Sequence, residues 1–138
     1  MHYFAYGSNM DLGQMKKRCG SGFKLLGTAV LEDHEFFVNY SGWASIRVCE
    51  GSRVYGLLFE IGEKCLASLD RYEGYPSIYN RFQEKTKSGD AEFDAWVYVD
   101  PTPREGRPKG GYLEKIMRAA LANNFPEEYI KYLQSWKR

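Results

Sequence analysis

The chain has 138 residues, of which 43% are hydrophobic and 16% are aromatic, and its formal net charge is +1. This length is enough for one domain with a substantial core, and the balanced charge gives no electrostatic basis for binding nucleic acid or an anionic membrane. No apolar run approaches the roughly 18 residues of a membrane span, and the first residues lack the apolar core of a signal peptide. We therefore expect a single domain over residues 1–138, with neither nucleic acid nor membrane as a partner.

The cysteines bear on the compartment and on metal binding. Cys19, Cys49 and Cys65 are an odd number of thiols at wide spacing. That pattern favours reduced thiols in a cytoplasmic protein over a disulfide framework. The spacing matches no zinc motif, and His2 and His34 are isolated from one another, so no metal site is expected.

The first predicted element is a strand that runs into a turn. Residues 3–6 are aromatic or apolar, and Gly7, Ser8 and Asn9 follow directly. Glycine permits backbone conformations that other residues resist, and Ser and Asn side chains bond to nearby main-chain groups. Unpaired amides at such a strand-to-helix junction favour an anion such as a carboxylate. A short glycine turn without any ligand is also common after a strand, and this segment alone leaves both interpretations open.

The next part of the chain predicts a helix and then a run of strands. Asp11 is a typical N-cap residue, and a helix is expected from there to Gly20. Alternating or apolar β-type residues then predict four strands, at residues 25–31, 35–39, 44–49 and 53–61.

A helix over residues 63–73 follows, and its last residue is an acid. Gly74 and Pro76 end this helix, so Glu73 lies where unpaired carbonyls carry partial negative charge. That charge and the apolar parts of Tyr72 and Tyr75 should raise the pKa of Glu73, as a general base at neutral pH requires. A solvated glutamate beside a capping glycine is the alternative, and the helix end alone does not exclude it.

The remaining elements complete an α+β pattern. Two strands are predicted at residues 79–87 and 92–99, and a loop rich in proline, glycine and charge spans residues 100–111. An amphipathic helix over residues 113–121 and a short helix after Pro126 close the chain. Because the strands come mostly in runs, we expect an α+β domain with a curved, largely antiparallel sheet or small barrel.

Several common catalytic signatures are absent from the sequence. There is no Gly-x-Ser-x-Gly elbow, no phosphate-binding P-loop and no Gly-x-Gly-x-x-Gly fingerprint. Neither histidine has a Ser or Cys partner nearby in the sequence. What the residues themselves predict is therefore an acid near an anion-binding turn with aromatic walls.

Two segments together carry a family resemblance. Tyr3-Phe4-Ala5-Tyr6-Gly7-Ser8-Asn9 is followed at a distance by Leu69-Asp70 and Glu73-Gly74, with Val54-Tyr55-Gly56-Leu57-Leu58-Phe59 between them. This set, continued by residues 95–99 and the helix after the proline-rich loop, resembles the γ-glutamylcyclotransferase family over nearly the whole chain. The resemblance implies a small mixed, mostly antiparallel β-barrel with flanking helices. It also implies a cofactor-free enzyme that releases 5-oxoproline from a small γ-glutamyl compound.

The resemblance also assigns roles to residues. Tyr6, Gly7, Ser8 and Asn9 look like the turn whose main chain holds the α-carboxylate of the substrate. Glu73 looks like the catalytic acid and base. Tyr98, on the predicted strand over residues 92–99, looks like the tyrosine that lines the pocket and helps to hold the substrate.

The leaving group is left open by the sequence. Related enzymes act on γ-glutamyl amino acids, on γ-glutamylamines or on a γ-glutamyl-protected intermediate of antibiotic biosynthesis. The segment after Glu73 together with Arg81 is expected to shape a leaving-group pocket unlike that of the glutamyl-amino-acid enzymes. Arg104, Arg107 and Lys109 either bind an anionic leaving group or form an ordinary solvated loop. A monomer or a homodimer is expected.

One alternative from another class remains: a non-catalytic protein that binds a γ-glutamyl or other carboxylate ligand. Glu73 with its following glycine favours the enzyme, because binding of a carboxylate-rich ligand does not need a buried acid. An RNA-binding barrel is disfavoured, since no basic stripe accompanies the aromatic residues.

Overall fold

Five strands close into a barrel in the computed structural model, which describes residues 1–137. They are β1 (His2–Ala5), β2 (Phe23–Val38), β3 (Ala44–Ile61), β4 (Asn80–Ser88) and β5 (Ala91–Val99). Around the barrel their order is β1-β3-β2-β4-β5, and every neighbouring pair is antiparallel except β1 and β5, which are parallel. The predicted α+β class and the mostly antiparallel barrel are confirmed.

Four α-helices flank the barrel within residues 1–137: α1 (Leu12–Cys19), α2 (Glu63–Glu73), α3 (Tyr112–Ala122) and α4 (Glu127–Gln134). The start of α1 is set by Asp11, whose carboxylate accepts hydrogen bonds from the backbone N–H groups of Gly13 and Gln14. In the part of the chain that is described, no helix is both long and apolar enough to cross a membrane.

The end of α2 has the predicted glycine cap. Gly74 adopts the left-handed conformation at φ 69°, and the N–H of Tyr75 donates to the Asp70 carbonyl at 2.9 Å. This pairing satisfies a carbonyl at the end of the helix and turns the chain away. It leaves Glu73 as the last helical residue, in the position that the sequence predicted.

The four strands predicted between residues 25 and 61 are two long, bent strands instead. β2 and β3 pair along almost their whole length. The pairing is interrupted once, where residues 49–52 lie opposite Asp33 alone, and it continues on the far side. Asp33 has φ 58° and Gly51 has φ 85°, and the Asp33 carboxylate accepts a hydrogen bond from the Gly51 N–H at 3.0 Å. A β-bulge therefore contains the same residue types, glycine and aspartate, that mark the end of a strand in the sequence. Here the bulge bends the strands around the barrel.

The core is largely aromatic and holds β1 tightly against β3. Phe4, Phe36, Phe37 and Phe59 are fully buried. At Gly56 the two strands approach so closely that a Cβ atom would lie 2.4 Å from the Ala5 carbonyl oxygen, which leaves room only for glycine. Burial of each large side chain contributes roughly 1.5–3 kcal/mol. The end of β1 is consequently fixed by packing.

A disulfide joins α1 to α2, and the prediction of reduced thiols is wrong for this pair. Cys19 and Cys65 are bonded, with their Cα atoms 4.8 Å apart, while Cys49 is a free thiol. The two cysteines are 46 residues apart in sequence, and only the side-by-side packing of the two helices brings them together. Sequence spacing therefore carried no signal for the bond.

Removal of this bond should destabilise the protein. We expect a Cys19→Ser/Cys65→Ser double variant to lose about 2–4 kcal/mol of unfolding free energy, because the bond closes a long loop in the unfolded chain. Urea titration measures the loss, with Cys49→Ser as the matched control that keeps the bond. Titration of three free thiols in the unfolded wild type, instead of the one at Cys49, would contradict the disulfide.

Candidate functional site

A cavity of about 670 Å³ opens beside the C-terminal end of β1. Its walls come from the turn after β1, from α1, α3 and the end of α2, and from the two loops at residues 39–43 and 100–111. Backbone hydrogen bonds join these loops, among them that from Lys109 N–H to the Gly42 carbonyl at 3.2 Å. All the site residues predicted from the sequence line this cavity: Tyr6, Gly7, Ser8, Asn9, Glu73 and Tyr98.

The turn after β1 is a short 3-10 segment, Ser8–Met10, preceded by Gly7. A Cβ atom at Gly7 would lie 3.3 Å from both the Tyr112 hydroxyl and the Ala44 Cβ, so glycine lets the neighbouring wall come close. Burial raises the pKa of Tyr112 to about 12, and its phenol therefore stays protonated beside Ser8. The Tyr6 hydroxyl donates to the Tyr98 carbonyl at 2.5 Å and ties the turn to β5.

A chain of polar side chains holds the turn from behind. The Gln14 amide nitrogen donates to Ser8 Oγ at 2.7 Å and to Asn9 Oδ1 at 2.8 Å. Asn9 in turn donates to the Tyr3 hydroxyl at 2.9 Å, and Lys115 Nζ donates to Gln14 Oε1 at 2.8 Å. Ser8 and Asn9 are thus held in one arrangement. Sequence reasoning missed Gln14 and Lys115, because only the packing of α1 and α3 around the turn gives them this role.

Glu73 lies on the cavity wall at the end of α2, where its side chain is half-buried. Loss of water around the carboxyl raises its pKa to about 7, and the positive charge of Arg18 opposes part of that rise. The raised pKa predicted from the sequence is confirmed, with burial as its main cause. At neutral pH this carboxyl exists in both protonation states, so it can accept and return a proton.

Tyr98 belongs to a second polar network behind the cavity. Its hydroxyl donates to Asp70 Oδ1 at 2.7 Å, and Asp70 pairs with Arg81 Nε at 2.8 Å. Burial, followed by the bond to Asp70, raises the pKa of Tyr98 far above its usual value, so the phenol stays protonated. Arg81 is therefore the cation that pairs with Asp70.

The residues expected to shape the leaving-group pocket divide into two groups. Tyr75 and Arg81 do not line the cavity, because Arg81 stacks with its Cζ 4.4 Å from the Tyr75 ring and 4.3 Å from the Trp96 ring. Ile78 and Tyr79, from the same segment, do line it.

The basic loop at residues 100–111 contributes one of its three predicted cations to the cavity wall. Lys109 lines the cavity, whereas Arg104 stacks with its Cζ 4.2 Å from the Tyr40 ring and Arg107 is not part of the wall. Within the described residues, no group of His, Cys, Asp and Glu has an arrangement that would hold a metal ion.

The chain is similar to several known proteins. The family model described as gamma-glutamyl cyclotransferase, AIG2-like, matches residues 3–115. A Mus musculus gamma-glutamylcyclotransferase is 28% identical over 145 aligned positions, covering 96% of this chain and 77% of that protein. A solved gamma-glutamyl cyclotransferase superimposes with a TM-score of 0.88 at 26% identity, covering 98% of this chain and 86% of the other. The uncharacterized Homo sapiens protein LOC79017 superimposes with a TM-score of 0.87 at 27% identity, covering 97% of this chain and 86% of the other.

The raised pKa of Glu73 has a consequence for stability. Because the folded carboxyl titrates at about 7 and an ordinary one at 4.5, the folded state binds the proton more tightly between these pH values. Wild-type stability therefore falls as the pH rises through this window. We expect Glu73→Gln to stabilise the protein by up to about 3 kcal/mol at pH 8, and by much less at pH 5.

Chemical denaturation at the two pH values measures this difference. Glu63→Gln, at the exposed start of the same helix, is the matched control and should show no comparable gain at pH 8. An equal effect of Glu73→Gln at both pH values would show that its carboxyl titrates normally.

Proposed function

This chain belongs to the gamma-glutamyl cyclotransferase, AIG2-like, family, and we propose that it is a cofactor-free enzyme that converts a small γ-glutamyl compound into 5-oxoproline and a free amine or amino acid. The observation that carries the proposal is the placement of Glu73, with a pKa of about 7, on the same cavity as the turn formed by Tyr6, Gly7, Ser8 and Asn9. A base and an anion-binding turn on one cavity are what the cyclisation of a γ-glutamyl group requires.

The turn is the proposed site of the substrate's α-carboxylate. Main-chain amides at a strand-to-helix junction favour an anion, and Gln14 holds the side chains of Ser8 and Asn9 in place before substrate arrives. Such a preorganised contact reduces the entropy lost on binding. It would also fold the γ-glutamyl group so that its α-amine approaches its own γ-carbonyl.

Glu73 then carries the proton transfers. Its carboxylate takes one proton from the substrate's α-ammonium, and the freed amine attacks the γ-carbonyl carbon to form the C–N bond of a five-membered lactam. Glu73 returns that proton to the leaving nitrogen as the γ-carbon–nitrogen bond breaks. The second ammonium proton also ends on the leaving amine, which departs as an ammonium ion, so charge and protons balance without a redox step.

Tyr98 is proposed to shape and orient the wall that the γ-glutamyl group contacts. Its hydroxyl is already engaged with Asp70, so it is not a free acid waiting for substrate. The ion pair between Asp70 and Arg81 holds that hydroxyl in position. A positioned aromatic wall supports the folded substrate conformer through contact rather than through proton transfer.

The location and the oligomeric state stay predictions. A cytoplasmic location was expected from the cysteine pattern, and the Cys19–Cys65 bond is the structural feature that counts against it, because reducing compartments keep thiols reduced. A monomer or a homodimer is still expected.

Substitution of Glu73 tests the proposed base. We expect Glu73→Gln to lower the rate of 5-oxoproline release by about 10²–10⁴-fold, the usual contribution of a general acid–base group, while substrate affinity is largely kept. The measurement is chromatographic detection of 5-oxoproline from a panel of γ-glutamyl amino acids and γ-glutamylamines, with Glu63→Gln as the control.

Two outcomes would contradict the proposal. A Glu73→Gln rate within a few-fold of wild type would show that another group is the base. Measurable ligand binding with no product from the wild type would favour the non-catalytic carboxylate-binding protein instead.

Substitution of Tyr98 separates positioning from proton transfer. Tyr98→Phe removes the bond to Asp70 but keeps the ring, and we expect kcat/KM to fall by about 10-fold with an unchanged pH profile. Tyr40→Phe, at an exposed tyrosine, is the control. A shifted pH profile in Tyr98→Phe would assign Tyr98 a role in proton transfer.

A further inference from the structure

The cavity wall has an excess of positive charge that the whole chain lacks. Four cationic side chains line the cavity, and Glu73 is the one acidic side chain among its described lining residues: the cations are Arg18, Lys109, Lys115 and Arg118. The chain as a whole has 19 cationic and 18 acidic residues. The composition therefore does not explain the excess, which matches the charge of an anionic ligand.

These cations differ in what they already contact. Lys115 Nζ donates a hydrogen bond to Gln14 Oε1 and lies 3.9 Å from Asp11 Oδ2. It therefore supports the turn where the α-carboxylate is proposed to bind. Arg18 has no ion-pair partner within residues 1–137, and its Nε is buried without a hydrogen-bond partner. A buried guanidinium nitrogen without an acceptor is costly unless a ligand supplies the acceptor.

Arg18 lies on the Glu73 side of the cavity. Its Cζ lies 3.8 Å from the ring centroid of Tyr72, the residue that precedes Glu73. Its charge also acts on the Glu73 carboxyl and lowers the pKa of that group. In the proposed reaction the scissile amide must reach Glu73, which brings the leaving group within range of the Arg18 charge, while Lys115 already supports the turn proposed for the α-carboxylate.

The position of Arg18 relative to Glu73 is held by two links between α1 and α2. Ser68 Oγ donates to the Arg18 carbonyl, and the adjacent Cys19 is bonded to Cys65. Both partners are on the helix that ends at Glu73. These links hold the backbone of Arg18, and stacking on Tyr72 orients its guanidinium, so the charge is presented to a ligand from a defined part of the wall.

We infer that Arg18 is the residue that selects the leaving group, by pairing with a carboxylate on the carbon next to the scissile nitrogen. The substrate class is then a γ-glutamyl α-amino acid rather than a γ-glutamylamine, and this inference rests on the proposed function. A guanidinium pairs with a carboxylate through two parallel hydrogen bonds, and an amine leaving group without the carboxylate leaves those donors unpaired.

The test compares γ-glutamyl-alanine with γ-glutamyl-ethylamide, whose leaving groups differ only by the carboxylate. We expect the wild type to prefer γ-glutamyl-alanine in kcat/KM by roughly 10- to 100-fold, the effect of a charge-assisted hydrogen-bonded pair. Arg18→Gln should reduce that preference to within about 3-fold, and Arg18→Lys should keep part of it. Lys17→Gln, at the exposed neighbouring cation, is the matched control and should keep the wild-type preference.

The outcomes separate this inference from the proposed function. Equal wild-type turnover of both compounds, or an equal loss on both in Arg18→Gln, overturns the selection role and leaves the cyclotransferase intact. A shifted pH profile with that equal loss assigns Arg18 to tuning Glu73 instead. If the wild type turns over neither compound, the proposed function fails. The dissociation constants of the two compounds then decide the inference, which falls if γ-glutamyl-alanine is not bound more tightly or neither binds.

Discussion

The site depends on the double pairing of β1. This short strand is hydrogen-bonded to β3 on one side and to β5 on the other, and it closes the barrel. With four residues, the strand can form only a few hydrogen bonds. Its position is therefore set by packing, above all by the close approach of Ala5 to Gly56. The turn that follows β1 inherits this position. Without the closure, Gly7, Ser8 and Asn9 would form an ordinary surface turn.

Two opposed electrostatic effects meet at the other wall of the cavity. Burial raises the pKa of Glu73, and the charge of Arg18 lowers it again. Together they leave a carboxyl with a pKa of about 7. The arrangement is costly to the folded state, because a carboxylate without full hydration is held on the cavity wall above pH 7. Sites of this kind are stabilised from elsewhere, and here the aromatic core and the bond between α1 and α2 are the available sources.

The same link between α1 and α2 connects stability to selectivity. Cys19 at the end of α1 is bonded to Cys65 of α2, and the carbonyl of the neighbouring Arg18 accepts a hydrogen bond from Ser68 of α2. Contacts that contribute to folding therefore also hold the backbone of this cationic residue against the helix that ends at the proposed base. The polar chain from Lys115 through Gln14 to Ser8 does the same for the turn. Each half of the cavity thus has a rigid support of its own.

The sequence by itself determined the local elements and the position of Glu73 at the end of its helix. Asp11, Gly74 and Pro126 mark helix ends through backbone rules that act over a few residues, and the alternating strands gave the barrel class. The family resemblance added the proposed roles of the turn and of Glu73, and it added Tyr98. Tertiary structure decided the rest. Several contacts depend on which helices and strands pack together. They are the pairing of Cys19 with Cys65, of Asp70 with Arg81 and of Gln14 with Ser8, and the exposure of Arg18 to the cavity. The bends in β2 and β3 were also decided by tertiary structure. Glycine and aspartate occur both in a bulge and at a strand end, and only the partner strand distinguishes the two.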